Sequence, residues 1–220
     1  MSIKDNIEQI QSFLKNQQKN VTLIAVSKTK PLQSIEEAIH AGQRIFGENK
    51  IKEGIEKFSP IKEKYNLILH HLGPVQSGNS KKLFGNFDYT HGVSSLSSLQ
   101  NLMKESEKYK KPLKYFLQVN LTEEDSKSGF QEDELLKLIQ NPTQIETEFL
   151  KLEGLMTMGP SSGEENLTRL VFRRLNEIRN SSLSGAKLSM GMSGDYPIAI
   201  AEGADFIRVG SSIFGDRNYN

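Results

Sequence analysis

A lysine follows the first strongly apolar run of the chain. Five of the six residues from Val21 to Val26 are apolar, and Lys28 comes two positions later. A lysine at a strand end most often extends its ammonium group into solvent. The alternative is a reactive amine, because desolvation lowers the pKa of an ammonium group and frees the lone pair that attacks an aldehyde. Lys30 is the competing nucleophile, but its place beside Pro31 predicts a loop position.

Arg208 is the second charged residue on an otherwise apolar segment. It lies in "DFIRVGS", Asp205 to Ser211, where a buried charge is costly unless it is paired. One interpretation is a structural salt bridge inside the fold. The other is a hydrogen-bond donor to a ring atom of a bound cofactor.

Two loops near the C-terminus, "MGMSGD" and "VGSSIFG", are rich in glycine and serine. Gly210 allows close backbone approach, and Ser193 and Ser211 add hydroxyl donors. In phosphate-binding barrels, the loops after strands 7 and 8 often form the anion site with a short helix N-terminus. A helix that starts after Asp195 would direct free N–H groups towards such an anion. The alternative is that both loops are ordinary tight turns.

These three features together suggest one cofactor. A lysine that forms an imine, an arginine in the same site and a phosphate cradle are the groups that pyridoxal 5′-phosphate requires. The four histidines show no metal-ligand spacing, and we expect each to be structural or exposed. No metal site is therefore predicted.

Composition limits the class of protein. The 220 residues include no cysteine, which excludes disulfides and thiolate nucleophiles. With 28 basic and 27 acidic residues, the chain lacks the basic excess of a nucleic-acid binder. No apolar run is long enough to cross a membrane, and the polar N-terminus does not resemble a secretory signal. We expect a cytoplasmic protein that binds neither nucleic acid nor membrane.

Apolar runs alternate with helical patterns along the whole chain, which predicts parallel strands joined by helices. Eight strands are the number that closes a (β/α)8 TIM-type barrel, here a single domain over residues 1–220 with an extra N-terminal helix, roughly Ile3 to Asn16. An open, doubly wound sheet is the alternative fold. The predicted strands are Thr22–Ser27, Arg44–Glu48, Leu67–Gly73, Asp88–Val93, Lys114–Leu121, Lys151–Met158, Ala186–Met192 and Asp205–Ser211.

The barrel prediction brings the chemical residues together. Residues at the C-terminal ends of barrel strands converge on one face, where active sites lie. Lys28 follows the first strand and Asn49 the second, while the two glycine-rich loops follow the seventh and eighth strands. We therefore expect all of them at one mouth of the barrel.

Six segments at consistent spacing resemble the pyridoxal phosphate homeostasis protein family, which is related to the N-terminal barrel of alanine racemase. The resemblance covers essentially the whole chain. The segments are "LIAVSKTKP" (Leu23 to Pro31), "FGEN" (Phe46 to Asn49), "HHLGPVQS" (His70 to Ser77), "EGLMTMGP" (Glu153 to Pro160), "LSMGMSGD" (Leu188 to Asp195) and "IRVGSSIFG" (Ile207 to Gly215).

The resemblance implies a role for each site residue. Lys28 would form a reversible aldimine with pyridoxal 5′-phosphate, and Arg208 would face the pyridine nitrogen and disfavour its protonation. Two departures lie at the barrel rim: Gly78 and Asn79 replace an Asn-Lys pair common in the family, and Leu69 replaces an aromatic residue. The remaining implied contacts are Asn49 near the ring, Met190 beside it, and Ser193, Gly210 and Ser211 at the phosphate.

The resemblance implies a carrier rather than an enzyme. A racemase needs bases on both faces of the substrate, and the second base in alanine racemase is a tyrosine from a further domain, for which the sequence leaves no room after the eighth strand. We expect a monomer that buffers the cofactor or delivers it to pyridoxal-phosphate-dependent apo-enzymes. The alternatives are a small amino-acid racemase and a barrel that binds another phosphorylated metabolite without a covalent bond.

Overall fold

The computed structural model describes residues 1–17, 20–122, 124 and 127–215. In it, eight parallel strands close into a barrel in the order β1 to β8, with β8 paired to β1. The predicted barrel is confirmed, and the open sheet is excluded. The strands are β1 Thr22–Val26, β2 Ile45–Glu48, β3 Ile68–Pro74, β4 Tyr89–Val93, β5 Leu113–Gln118, β6 Leu150–Met156, β7 Lys187–Ser189 and β8 Phe206–Val209.

Helices surround the barrel and include the expected N-terminal one. None of those in the described residues has both the length and the apolar composition needed to cross a membrane. Two short 3-10 helices, Ser80–Leu83 and Pro142–Ile145, lie between them. The α-helices are α1 Ile3–Lys15, α2 Leu32–His40, α3 Ile51–Phe58, α4 Leu96–Tyr109, α5 Glu132–Ile139, α6 Glu165–Ser182, α7 Tyr196–Ala201 and α8 Ser211–Phe214.

Helix α3 was not among the predicted helical segments. Its sequence, "IKEGIEKF", carries Gly54 at its centre, and glycine is a poor helix former. The glycine is required by packing, because a Cβ at this position would lie 2.7 Å from Cζ of Phe87. Packing against the barrel therefore outweighs the local propensity.

Strand β7 is shorter than predicted, with three residues instead of seven. The strand ends at Ser189, and two residues later Gly191 turns the chain with a φ of +93°. A Cβ there would also lie 2.6 Å from Cβ of Ala199, so helix α7 approaches this position too closely for any other residue. The early exit from the sheet leaves the next residues for the loop at the barrel mouth.

Helix α1 braces the C-terminal part of the fold. Ser2 and Asp5 form a capping box at its start, and Ile7 and Ile10 are buried. Burial of each isoleucine contributes about 1.5–3 kcal/mol. The Asn6 side-chain amide donates to the carbonyl of Ile213 at 2.9 Å, so α1 is bonded directly to α8 at the seam of the barrel.

Candidate functional site

A cavity of about 460 Å³ opens at the C-terminal ends of the strands. Its size is within the range of about 300–1,000 Å³ that is typical of small-molecule sites. Its position is that of the active site in barrel enzymes. The lining residues come from the ends of six strands and from α8: Val26, Lys28, Lys30, Asn49, Leu72, Met156, Met158, Met192, Ser193, Gly194, Arg208, Gly210, Ser211 and Gly215.

Six of the seven predicted site residues line this single cavity. They come from four different loops and strands that are up to 183 positions apart in the sequence, from Lys28 to Ser211. The barrel therefore brings together the candidate amine, the candidate guanidinium donor and both glycine-rich loops. The six are Lys28, Asn49, Ser193, Arg208, Gly210 and Ser211.

Met190 is the exception among the predicted site residues. It is completely buried in the hydrophobic core and does not line the cavity. Successive residues of an extended segment point to opposite sides. Ser189 bonds to groups inside the barrel, so Met190 packs in the core. Three other methionines line the cavity instead: Met156, Met158 and Met192.

Arg208 crosses the barrel interior beneath the cavity. Its guanidinium donates to the Ser189 carbonyl at 2.8 Å, to Ser189 Oγ at 2.7 Å and to the Thr157 carbonyl at 2.9 Å. Within the described residues it forms no salt bridge, so the structural salt bridge considered above is absent there. Burial lowers the pKa of Arg208 to about 10, which leaves the group cationic at neutral pH.

A chain of hydrogen bonds continues from Arg208 through the interior. His91 Nδ1 lies 2.8 Å from Ser189 Oγ, and His91 Nε2 lies 2.8 Å from His70 Nδ1. His91 is on β4 and Ser189 on β7, so this contact spans the inside of the barrel. Burial lowers the pKa of His70 to about 3 and holds that of His91 well below its ordinary value. Both rings are therefore neutral, and the chain supports the guanidinium without adding charge.

The candidate anion site lies between the loops that follow β7 and β8. Ser193 Oγ accepts hydrogen bonds from the N–H groups of Gly210 and Ser212, at 3.1 and 3.4 Å. Helix α8 begins at Ser211, and α7 begins directly after Asp195, as predicted. The two loops are thus hydrogen-bonded to each other. Their serine hydroxyls and backbone amides are close enough to contact the same anion.

Asn49 is held at the mouth by close backbone packing. A Cβ at Gly73 would lie 2.1 Å from the Asn49 carbonyl oxygen, so β3 approaches this residue as closely as glycine allows. Burial lowers the pKa of His71 to about 4, although its hydrogen bond with the Asn49 backbone acts in the opposite direction. Two residues of β3, Gly73 and His71, therefore hold the backbone of Asn49 in place.

The lysines near the mouth have different environments. Lys28 is half-buried and lines the cavity. Lys30 also lines it, but its Nζ donates to the carbonyls of Phe214 and Gly215, both at 3.0 Å. A cation at the C-terminal end of a helix is favourable. The position of Lys30 therefore favours a structural role for its amine.

Sequence reasoning missed a charged cluster beside Lys28, formed by Glu48, Glu53 and Lys57. Glu48 is fully buried at the end of β2, while Glu53 and Lys57 are on α3. The signal in the sequence was a glutamate at the end of an apolar strand. Its partner, Lys57, could not be identified from the sequence because helix α3 was not predicted.

The chain matches a family model over nearly its full length. Residues 1–218 match the model described as alanine racemase, N-terminal domain. A pyridoxal phosphate homeostasis protein of Vibrio alginolyticus is 36% identical over 233 residues, covering 100% of this chain and 99% of that one. One of Synechocystis is 39% identical and covers 90% and 92%. The chain belongs to the pyridoxal phosphate homeostasis protein family.

Solved structures of this family share the fold. PipY of Synechococcus elongatus, with pyridoxal phosphate bound, is 33% identical, has a TM-score of 0.86 and covers 97% of this chain and 100% of that chain. The alanine racemase of Bartonella henselae has a TM-score of 0.75 at 19% identity. This chain covers 60% of the racemase, so that likeness shows only a common barrel fold.

Proposed function

We propose that this protein binds pyridoxal 5′-phosphate covalently through Lys28 and takes part in intracellular homeostasis of that cofactor. The observation that carries the proposal is that a lysine, a buried arginine and two serine- and glycine-rich loops line one cavity. The homologue PipY has been solved with pyridoxal phosphate bound. Its 33% identity extends over 97% of this chain.

The cavity fits the group in size and in the chemistry of its donors. When bound, the cofactor supplies an aldehyde, which condenses with a neutral lysine amine to form a C=N bond while its oxygen leaves as water with both amine hydrogens. Lys28 provides that amine. Ser193 and the backbone at Gly210 and Ser211 provide donors for the phosphate, and Arg208 provides a donor for the ring nitrogen.

The cationic guanidinium limits the chemistry of the bound ring. A guanidinium donates hydrogen bonds and accepts none, so Arg208 disfavours a proton on the nitrogen that it faces. Three hydrogen bonds inside the barrel hold it in place. The ring is then a weaker electron sink, which suits storage better than catalysis.

We propose a carrier rather than an enzyme. No tyrosine among the described residues lines the cavity, whereas a racemase requires a second base opposite the lysine. Tyr219 lies outside the described residues. We propose that the protein acts in the cytoplasm as a monomer that buffers the cofactor or delivers it to apo-enzymes.

The test is the absorption spectrum of the purified protein with added pyridoxal 5′-phosphate, before and after borohydride reduction. We expect a visible absorption band of the imine that reduction removes, with a phosphopyridoxyl mass on Lys28. Lys28→Ala should lose both, while Lys30→Ala should keep them. A colourless protein without an adduct would contradict the proposal and favour non-covalent binding of another phosphorylated metabolite.

The racemase alternative has its own assay. The loaded protein is incubated with L-alanine or L-serine, and the D-enantiomers are measured. We expect none above a Lys28→Ala control. Turnover that depends on Lys28 would instead identify a small racemase.

A further inference from the structure

The Lys57 ammonium group is enclosed by acceptors next to the turn that carries Lys28. Its Nζ donates to the Ser27 carbonyl at 2.9 Å, to Glu48 Oε1 at 3.1 Å and to Glu53 Oε1 at 2.6 Å. An ammonium group has three donors, so these bonds use all of them. Only 16% of the Lys57 side chain is exposed. The group is therefore fixed at one point.

Ser27, the residue before Lys28, is bonded through its backbone and its side chain. Its N–H donates to the Gly47 carbonyl at 3.0 Å, and its hydroxyl donates to Glu48 Oε1 at 2.7 Å. Its carbonyl accepts from Lys57 at 2.9 Å. The backbone on this side of Lys28 is thus held by β2 and α3 together.

Thr29, the residue after Lys28, has an unfavourable backbone conformation. Its φ is 63°, a region that β-branched residues rarely adopt. Its N–H donates to Glu53 Oε1 at 2.6 Å, the same oxygen that accepts from Lys57. Such conformations persist where the surrounding structure fixes them, and they cluster at functional sites. The strained residue and its anchor lie one peptide away from Lys28.

The anchoring residues do not touch the cavity. Glu48, Glu53 and Lys57 are absent from its lining, as are Ser27 and Thr29. The cluster is instead connected to Lys28 through the backbone, because it bonds to the residues on both sides of it, Ser27 and Thr29.

We propose that Lys57 and Glu53 are positioning residues that hold the turn around Lys28 so that its amine reaches the aldehyde; this inference rests on the proposed function. A lysine amine is carried on a flexible four-carbon stem. Proximity and orientation of the reacting groups supply much of the rate of a covalent step. Fixing both neighbours of Lys28 sets the direction in which that stem leaves the backbone.

The test compares two ligands on the wild type, Lys57→Met and Glu53→Ala. Pyridoxal 5′-phosphate can bond to Lys28, whereas pyridoxine 5′-phosphate has an alcohol in place of the aldehyde and cannot. Since a small misplacement of a reacting group costs up to about a hundredfold in rate, we expect adduct formation to slow by about tenfold or more in both variants. Affinity for pyridoxine 5′-phosphate should stay within about twofold of the wild type, because the cavity lining is unchanged.

The same helix provides matched controls. Lys52 and Glu56 form an i,i+4 pair at 3.7 Å with side chains that are 84% and 64% exposed. Lys52→Met and Glu56→Ala should change neither the rate of adduct formation nor the affinity for pyridoxine 5′-phosphate. Glu53→Ala keeps the Lys57–Glu48 contact and removes the Thr29 anchor, so it tests the proposal even where Lys57→Met fails to fold.

The outcomes separate this inference from the proposed function. Slow adduct formation with normal pyridoxine 5′-phosphate affinity supports positioning. Equal losses for both ligands would show a general structural role, and unchanged adduct formation would show no role; either result overturns the inference and leaves the proposed function standing. A wild type that forms no adduct overturns both.

Discussion

Two polar clusters support the two candidate functional side chains, Lys28 and Arg208, and they do so by different means. Beside Lys28, the cluster of Glu48, Glu53 and Lys57 pairs opposite charges. Behind Arg208, the chain of His70, His91 and Ser189 runs through the barrel interior as neutral hydrogen-bonding groups.

The difference follows from depth. At the mouth, two of the three charged groups remain partly exposed, Lys57 at 16% and Glu53 at 22%, so part of the cost of desolvation is avoided. Glu48 is fully buried, and burial raises its pKa. Burial raises the pKa of Glu53, but hydrogen bonds from Lys57 and Thr29 outweigh it and lower that pKa overall. In the interior nothing offsets burial, so the histidines lose their protons. Charged groups hold the turn around Lys28 in place, and neutral hydrogen-bonding groups support Arg208.

Acid should destabilise the protein by protonating the buried histidines, and this is the largest effect that we predict. Folded His70 and His91, and the buried His71 outside that cluster, have pKa values below the unfolded value of about 6.5, so the unfolded chain binds protons that the folded chain does not. Their stabilisation is complete above about pH 6.5 and is lost as the pH falls towards 4. The free energy of unfolding should drop by up to about 4 kcal/mol per pH unit.

Urea unfolding at intervals between pH 7 and pH 4.5 measures this slope. Glu48 acts in the opposite direction, because burial raises its pKa and its contribution grows as the pH falls. His91→Phe should reduce the slope by about one third. If the free energy of unfolding did not change with pH across this range, the buried histidines would have to accept protons in the folded state.

Arg208→Met should have the next largest effect. It leaves the Thr157 carbonyl without its donor and removes two bonds from Ser189. We expect urea unfolding to show a loss of about 2–4 kcal/mol, since unsatisfied buried groups cost about 1–3 kcal/mol each. Arg173→Met is the matched control, because Arg173 is 52% exposed in a surface pair with Glu202. Similar losses in the two variants would contradict the supporting role of the interior chain.

His91→Phe should be milder at neutral pH. The new ring can keep the stacking against Phe116, whose centroid is 4.2 Å from that of His91. The hydrogen bonds to His70 and Ser189 are lost. We therefore expect the free energy of unfolding, measured in urea, to fall by about 1–3 kcal/mol. His40→Phe on the exposed end of α2 should change little. A neutral result for His91→Phe would mean that packing alone maintains the interior.

Thr29→Gly gives the smallest effect and tests strain in the mouth cluster. A left-handed conformation costs an L-residue about 1–2 kcal/mol, and glycine loses about 0.5–1 kcal/mol through chain entropy. We expect a net gain of about 0.5 kcal/mol in thermal or urea unfolding. Asn66→Gly, at φ 51°, should gain less because asparagine tolerates this region. Destabilisation by Thr29→Gly would show that the turn stores no strain.

The sequence predicted the fold and most of the cavity because those signals are local. The eight apolar runs are visible along the chain, and in a barrel each strand end belongs to the same face. The two buried clusters are different. His91 and Ser189 are 98 positions apart, and Glu48 and Lys57 meet only because α3 forms around Gly54. Met190 was placed beside the ring by the family resemblance, but one step along the extended segment from Ser189 its side chain points into the core.

The seam of the barrel has a consequence for the timing of synthesis. Strand β1 pairs with β8, α1 is bonded to α8, and Lys30 holds the carbonyls of Phe214 and Gly215. The candidate amine and the candidate anion donors therefore lie far apart in the sequence, with Lys28 and Ser211 separated by 183 positions. A chain still emerging from the ribosome has Lys28 exposed but has no Gly210 or Ser211 to complete the site. Under the proposed function, retention of the cofactor therefore requires the closed barrel, in which Lys28 and both anion loops lie at one cavity.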